Sequence, residues 1–171
     1  MPRALGVNDW VVPAHPLTAA AFRPFGEVIE HAGTERRHFI ASAFDGDGSA
    51  PDRLLWVSRV AHAEQLPLRV TTMERHPHSA QWFSPLSCDA YLVAVCEPFD
   101  DGSPDIETLR AFIAQSGQGV VYGRNVWHHP MVVLGQPATF VVSMAKGRGD
   151  DDVFVAIDRN VSITAAPPAA A

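Results

Sequence analysis

The sequence predicts an all-β (mainly β) fold, an antiparallel β-barrel or jelly roll with one or two short helices, and three observations predict it. Short apolar runs rich in Val, Phe and Trp recur along the chain, punctuated by Gly, Pro and Asp. Few helical periods separate them, which disfavours a parallel α/β sheet, because that fold needs a crossover of a dozen or so residues after most strands. The length, 171 residues with 47% hydrophobic and 19% charged, allows one sizeable core and is short for two domains. Residues 1–160 are therefore expected to form a single barrel domain. Residues 161–171 are expected to be a flexible tail, since its Ala- and Pro-rich end has little to bury.

In chain order, a short helix is expected after Thr18, over Ala19–Phe22, ended before Pro24 because the residue preceding a proline resists the α conformation. Strands are expected near Glu27–Ile29, His38–Ala41, Leu54–Val60, Leu68–Glu74, Gln81–Pro85, Tyr91–Glu97, Gly119–Tyr122, Pro130–Leu134, Thr139–Ala145 and Val153–Ile157. The loop Phe44–Asp52 superficially reads as a calcium loop but lacks the closing glutamate, so a mobile connector is expected there. A second helix is expected from Ser103: Pro104 suits its first position, and Asp105 and Glu107 place negative charge at its positive end. Its stripe is Ile106, Leu109, Phe112 and Ile113, and Gly117 and Gly119 stop it.

The net charge of -6 argues against nucleic acid or an anionic membrane as partner, since both select clustered Lys and Arg. No apolar run approaches the roughly 20 residues that span a bilayer, and Met1–Trp10 lacks a basic region followed by an apolar stretch. A cytoplasmic location is expected. Cys88 and Cys96 lie in or beside an apolar stretch and read as buried thiols rather than a disulfide or a metal site. There is no G-x-S-x-G elbow and no phosphate-cradling G-x-x-x-x-G-K-[ST]. The chemistry left is general acid–base, metal-assisted, or binding alone.

Two segments carry that chemistry. In Glu74-Arg75-His76-Pro77-His78 an extended backbone would point Glu74, His76 and His78 to one side. An H-x-H strand can present two imidazoles to one metal, with Gln81 or a histidine from another strand completing the shell. The plain alternative is a buried, hydrogen-bonded His76 and a surface His78. In Arg124-Asn125-Val126-Trp127-His128-His129-Pro130 adjacent histidines point to opposite faces, so one of His128 and His129 is expected to face the cavity. Arg124 and Asn125 suit either carboxylate recognition or a turn, and Trp127 suits packing at the barrel rim.

Taken in order, Pro16-Leu17-Thr18, Phe22, Phe25-Gly26-Glu27-Val28-Ile29, Glu74-Arg75-His76-Pro77, Gln81, Phe83, Pro85, Pro104-Asp105, Leu109-Arg110-Ala111-Phe112 and Gly119 through Pro130, including Tyr122, resemble the ureidoglycolate lyase family over roughly residues 11–145. The resemblance implies a cupin-like β-barrel, a homodimer, and cleavage of ureidoglycolate to glyoxylate and urea in allantoin degradation. It implies His76, His128 and Glu74 as catalytic groups, and Arg124, Asn125, Gln81 and Tyr122 around a small carboxylate substrate. A divalent metal such as nickel, if bound, would sit on His76, His78 and His128. Two other functions remain compatible: a different metal-dependent barrel enzyme acting on a small hydroxy acid, and a non-enzymatic barrel that holds a small carboxylate.

Overall fold

A computed structural model describes residues 10–146 and 151–167. Two curled sheets form the fold. The larger is built from β1 (Trp10–Pro16), β4 (Leu68–Arg69), β5 (Thr72–Arg75), β7 (Ala90–Pro98), β8 (Pro104–Gln115), β10 (Trp127–His128), β11 (Val132–Leu134), β13 (Val153–Ala156) and β14 (Val161–Ala165). They run in the order β13-β5-β10-β7-β8-β1-β14-β4, with β11 also paired to β7. The smaller contains β2 (Gly26–Ile29), β3 (Asp52–Val60), β6 (Gln81–Ser87), β9 (Gly119–Tyr122) and β12 (Ala138–Lys146), in the order β2-β9-β6-β12-β3. The all-β expectation holds. The pairing is antiparallel except where β1 runs parallel to both β8 and β14.

Alternation along β7 explains how one strand serves two cores. Tyr91, Val93 and Val95 point between the sheets into a cluster with Phe22, Phe83, Phe112 and Phe140. Leu92, Ala94 and Cys96 point the other way, into a cluster with Met73, Trp127, Val161 and Ile163. A strand covered on both faces must read as a continuous apolar run, which is what Tyr91–Cys96 is.

The largest departure from expectation is the segment after Ser103, which is the twelve-residue strand β8 and not a helix. Val95 pairs with Arg110 but Glu97 pairs with Asp105, so three extra residues of β8 are accommodated in a bulge. The Thr108 hydroxyl fills it, accepting from the Glu97 N–H at 2.8 Å and donating to the Asp105 carbonyl at 2.7 Å. The bulge changes the strand's phase, so Ile106 and Leu109, an odd number of residues apart, reach the same core. That shift imitates the i, i+3 spacing of a helix. Ser103 caps nothing: its N–H and hydroxyl both bond Asp101 in the β7–β8 turn.

Three smaller corrections follow. His38–Ala41 is not a strand; Ala41–Phe44 form a 3-10 turn, held because the Ser42 N–H and hydroxyl both bond the Glu27 carboxylate. The run Leu68–Glu74 splits into β4 and β5. The tail expected from residue 161 does not start there, because Val161–Ala165 are β14, locked between β1 and β4 with Val161 and Ile163 fully buried; residues 168–171 lie outside the described residues. The helix α1 (Ala19–Phe22) forms as expected, with the Thr18 hydroxyl accepting from the Ala21 N–H at 3.2 Å. Both cysteines are free.

Candidate active site

The register of the larger sheet places Glu74 of β5 directly opposite His128 of β10. Alternation then sorts the neighbours by face. Arg75 and Trp127 turn outward, the guanidinium stacking 4.7 Å from the indole centroid while both side chains donate to the Gly102 carbonyl at 3.0 Å. Trp127 is a packing residue as expected, but it lies within the outer core, 1% exposed, and not at the rim. Glu74 and His128 turn inward, with Nε2 of His128 3.3 Å from the Glu74 carboxylate.

His76 lies just past the end of β5 and joins them, its ring 5.3 Å from that of His128. Ligand atoms of Glu74, His76 and His128 all lie within 4.8 Å of one another. Across the gap, from the smaller sheet, Tyr122 stacks on His128 with centroids 4.1 Å apart and planes 8° from parallel. Burial, and secondarily the Glu74 charge, push the Tyr122 phenol well above its ordinary value, so it stays a hydrogen-bond donor. Gln81, opposite Tyr122 on β6, is buried too, and its Oε1 has no partner.

Backbone carbonyls fix the imidazole tautomers. Nδ1 of His76 is 2.8 Å from the Asp151 carbonyl and Nδ1 of His128 is 2.9 Å from the Val126 carbonyl. A carbonyl only accepts, so each Nδ1 carries a proton, and in the neutral form of each ring the Nε2 lone pair turns inward. Both Nε2 atoms are buried without a hydrogen-bond partner. Two imidazole lone pairs and a carboxylate within 4.8 Å of one another are a donor set that fits a divalent first-row cation. The same convergence of acceptors also suits a group that takes or shares a proton.

The other expected site residues lie apart from this cluster. His78 does not share the face of Glu74 and His76, because the chain leaves the strand at His76-Pro77 and the period-two alternation ends there. Its Nδ1 is 2.8 Å from Asp47 instead, and its backbone N–H bonds the Asp151 carboxylate. That His78 contact, with help from Ser49, holds the Asp47 carboxyl far below the usual carboxylate range. Arg124 is exposed, with Nη1 3.8 Å from the same Asp47. Asn125 is the turn residue, at a left-handed φ of 64°, and its N–H bonds the His76 carbonyl at 2.8 Å. Of the adjacent histidines it is His128 that belongs to the cluster. His129 bonds the Pro130 carbonyl through Nδ1, and burial depresses its pKa.

Sequence reasoning missed Asp151 and Asp152. Asp151 is 1% exposed, and Asp152 places Oδ1 3.1 Å from Nδ1 of His76. Nothing in a polar Gly- and Asp-rich connection distinguishes two such residues from solvated loop residues.

The ureidoglycolate lyase family model matches residues 9–164. A ureidoglycolate lyase of Mesorhizobium japonicum is 37% identical over 151 residues, covering 82% of this chain and 89% of that one. The ureidoglycolate lyase of Azotobacter vinelandii is 38% identical, covering 88% and 86%. Ureidoglycolate lyase 1 of Rhizobium meliloti is 40% identical, covering 84% and 91%.

Proposed function

The chain belongs to the ureidoglycolate lyase family, and from that premise we propose that it cleaves ureidoglycolate to glyoxylate and urea, a step of allantoin degradation. One observation carries the reading at the level of the site: two buried Nε2 lone pairs without partners face a carboxylate in a single cluster.

The substrate is a carbinolamide bearing a carboxylate. Releasing urea requires removal of the hydroxyl proton, a donor for the departing nitrogen, and groups that hold the carboxylate. His76 Nε2 takes the hydroxyl proton. As the oxygen forms the carbonyl of glyoxylate, the carbon–nitrogen bond breaks with its electron pair on nitrogen, which receives the proton shared between Glu74 and His128. Tyr122 and Gln81 orient the substrate oxygens from the opposite sheet. Arg124, half exposed and only loosely paired to Asp47, supplies the cation for the carboxylate, and Asn125 shapes the turn that carries it.

The convergence of Glu74, His76 and His128 within 4.8 Å favours a second reading of the same atoms. These residues would hold a divalent metal such as nickel, which when bound polarises hydroxyl and carboxylate oxygens.

We further read the protein as a homodimer of the cytoplasm. Support for the dimer comes from β3, an edge strand on which Leu54, Leu55, Trp56 and Val57 are all exposed. Among the described residues no helix is long and apolar enough to cross a membrane.

The test is to incubate metal-stripped and metal-replete protein with ureidoglycolate and to follow urea and glyoxylate together. Both products above the spontaneous rate are expected. Ammonia in place of urea would mean an amidohydrolase, and glyoxylate binding without turnover would mean a carboxylate-binding barrel. Turnover by the metal-stripped protein selects the acid–base reading, and dependence on added metal selects the other.

A further inference from the structure

We propose that Asp152 is a positioning residue for His76: its carboxylate, steadied by Lys146, holds the proton on Nδ1 and so keeps the Nε2 lone pair aimed into the site. The inference rests on reading Glu74, His76 and His128 as the working cluster.

The geometry carries it. His76 Nδ1 lies between two oxygens of consecutive residues, the Asp151 carbonyl at 2.8 Å and Asp152 Oδ1 at 3.1 Å. The carbonyl takes the hydrogen bond, while the carboxylate beside it makes an ion-pair contact whose negative charge favours a proton on the same nitrogen. The other carboxylate oxygen of Asp152 is 3.4 Å from the Lys146 ammonium. A chain of polar contacts therefore runs from the half-exposed Lys146 through Asp152 to an imidazole that is 5% exposed. The carboxylate behind a histidine is the arrangement that fixes ring orientation and raises ligand basicity in metal and acid–base sites alike.

Asp151 braces the same unit. Its buried carboxylate accepts the His78 N–H at 3.0 Å and lies 3.5 Å from the Ser79 hydroxyl, so the turn after His76 is tied to the residue whose carbonyl holds the ring. The two cluster histidines are consequently unequal. His128 has only the Val126 carbonyl behind its Nδ1, a contact two residues away that β10 itself creates. His76 sits outside any strand and depends on a partner 75 residues distant in sequence.

The test uses the full chain without metal, labelled with ¹⁵N-histidine, in the variants D152A and D152E. Long-range proton–nitrogen spectra at about pH 8.5, above the ordinary histidine range, report the tautomer of each ring. The wild type is expected to show Nδ1–H at His76 and at His128. D152A keeps the Asp151 carbonyl but loses the anion beside it, so His76 should enter exchange between the Nδ1–H and Nε2–H forms while His128 stays as it was; D152E should restore much of the wild-type signal. Calorimetric titration with Ni²⁺ alone should show a loss of affinity of about 10- to 100-fold in D152A, smaller in D152E. Asp152 is 39% exposed, so both variants should fold, and a melting curve checks this. An unchanged His76 tautomer in folded D152A overturns the proposal, as does an equal change at His128. The tautomer readout needs neither metal nor turnover, so a protein that binds no Ni²⁺ and cleaves no ureidoglycolate, yet shows the His76 shift, retains this role for Asp152 and loses the lyase reading.

Discussion

Replacing Glu74 by Gln removes one charge from the cluster and almost nothing else, because the two side chains have the same shape. The carboxylate lies 3.3 Å from His128 Nε2. When His128 carries the proton it shares with Glu74, unit charges at that separation attract by about 5 kcal/mol at an effective dielectric constant near 20. Desolvation offsets part of this, and truncating one member of a buried pair commonly costs about 3–5 kcal/mol. Because Glu74 and His128 position the proton that the departing nitrogen receives, a barrier raised by about 3–5 kcal/mol, at about 1.4 kcal/mol per decade, lowers kcat roughly 10²- to 10⁴-fold. The assay follows urea and glyoxylate as paired products of the metal-stripped enzyme, with thermal melting as the check on folding. Repeating it over a Ni²⁺ series separates the two readings. If Glu74 is a ligand, excess metal recovers activity and the apparent affinity falls about 10- to 100-fold; if it is the proton source, no metal concentration recovers it. A folded Glu74→Gln protein retaining kcat within about threefold under both conditions would refute the central role of the cluster.

Four further predictions follow from other parts of the molecule. His128→Ala should abolish most activity whereas His129→Ala should retain most of it, with both proteins folded; equal losses would contradict the placement of His128 alone in the cluster. Burial, with added repulsion from Asp105 and Glu97, pushes the Cys96 thiol up to about 12 from 9.0, so the unfolded chain sheds this proton first and stability should fall as pH rises above 9.0, a slope that Cys96→Ala should flatten in urea titrations. Gly119→Ala brings a Cβ to 2.6 Å from the Phe83 carbonyl oxygen and 3.1 Å from Ile29 Cβ, so we expect a cost of about 1–3 kcal/mol and a fall in Tm of roughly 2–12 °C by calorimetry. Leu55→Glu, at a side chain 69% exposed on β3, should convert a dimer to a monomer by light scattering, and a wild-type monomer would sink the dimer reading.

What was legible in the sequence depended on how local the determining physics was. The run Tyr91–Cys96 could be read because a strand buried on both faces has no choice but to be apolar throughout, and α1 because Thr18 and Pro24 mark its ends within a few residues. The strand β8 could not, because the cause of its spacing is a bulge whose filler, Thr108, acts on Glu97 across the sheet. β1 was hidden by Pro13 and Pro16, residues that ordinarily argue against a strand, and β14 by the Ala- and Pro-rich sequence that follows it. The same division runs through the candidate site. Glu74, His76 and His128 converge as residue chemistry and face alternation led one to expect, whereas His78 turns to Asp47 because alternation holds only while the strand lasts. Asp151 and Asp152 act on His76 from the far end of the chain, where no spacing rule connects them.

The cluster itself is electrostatically incomplete, and this links the two readings of its function. Secondary structure commits both Nδ1 protons to carbonyls, leaving two inward lone pairs and a carboxylate with no cation among them. A shared proton and a divalent metal satisfy the same atoms and therefore compete for them. Metal uptake must then release protons, and affinity for Ni²⁺ must weaken as pH falls, by an amount that counts the protons displaced. Tyr122 bears on both cases. Stacked on His128 and kept protonated by burial, it limits water access to one side of the cluster and adds a donor without adding charge, so the charge that completes the site has to come from the proton, the metal or the substrate's own surroundings at Arg124.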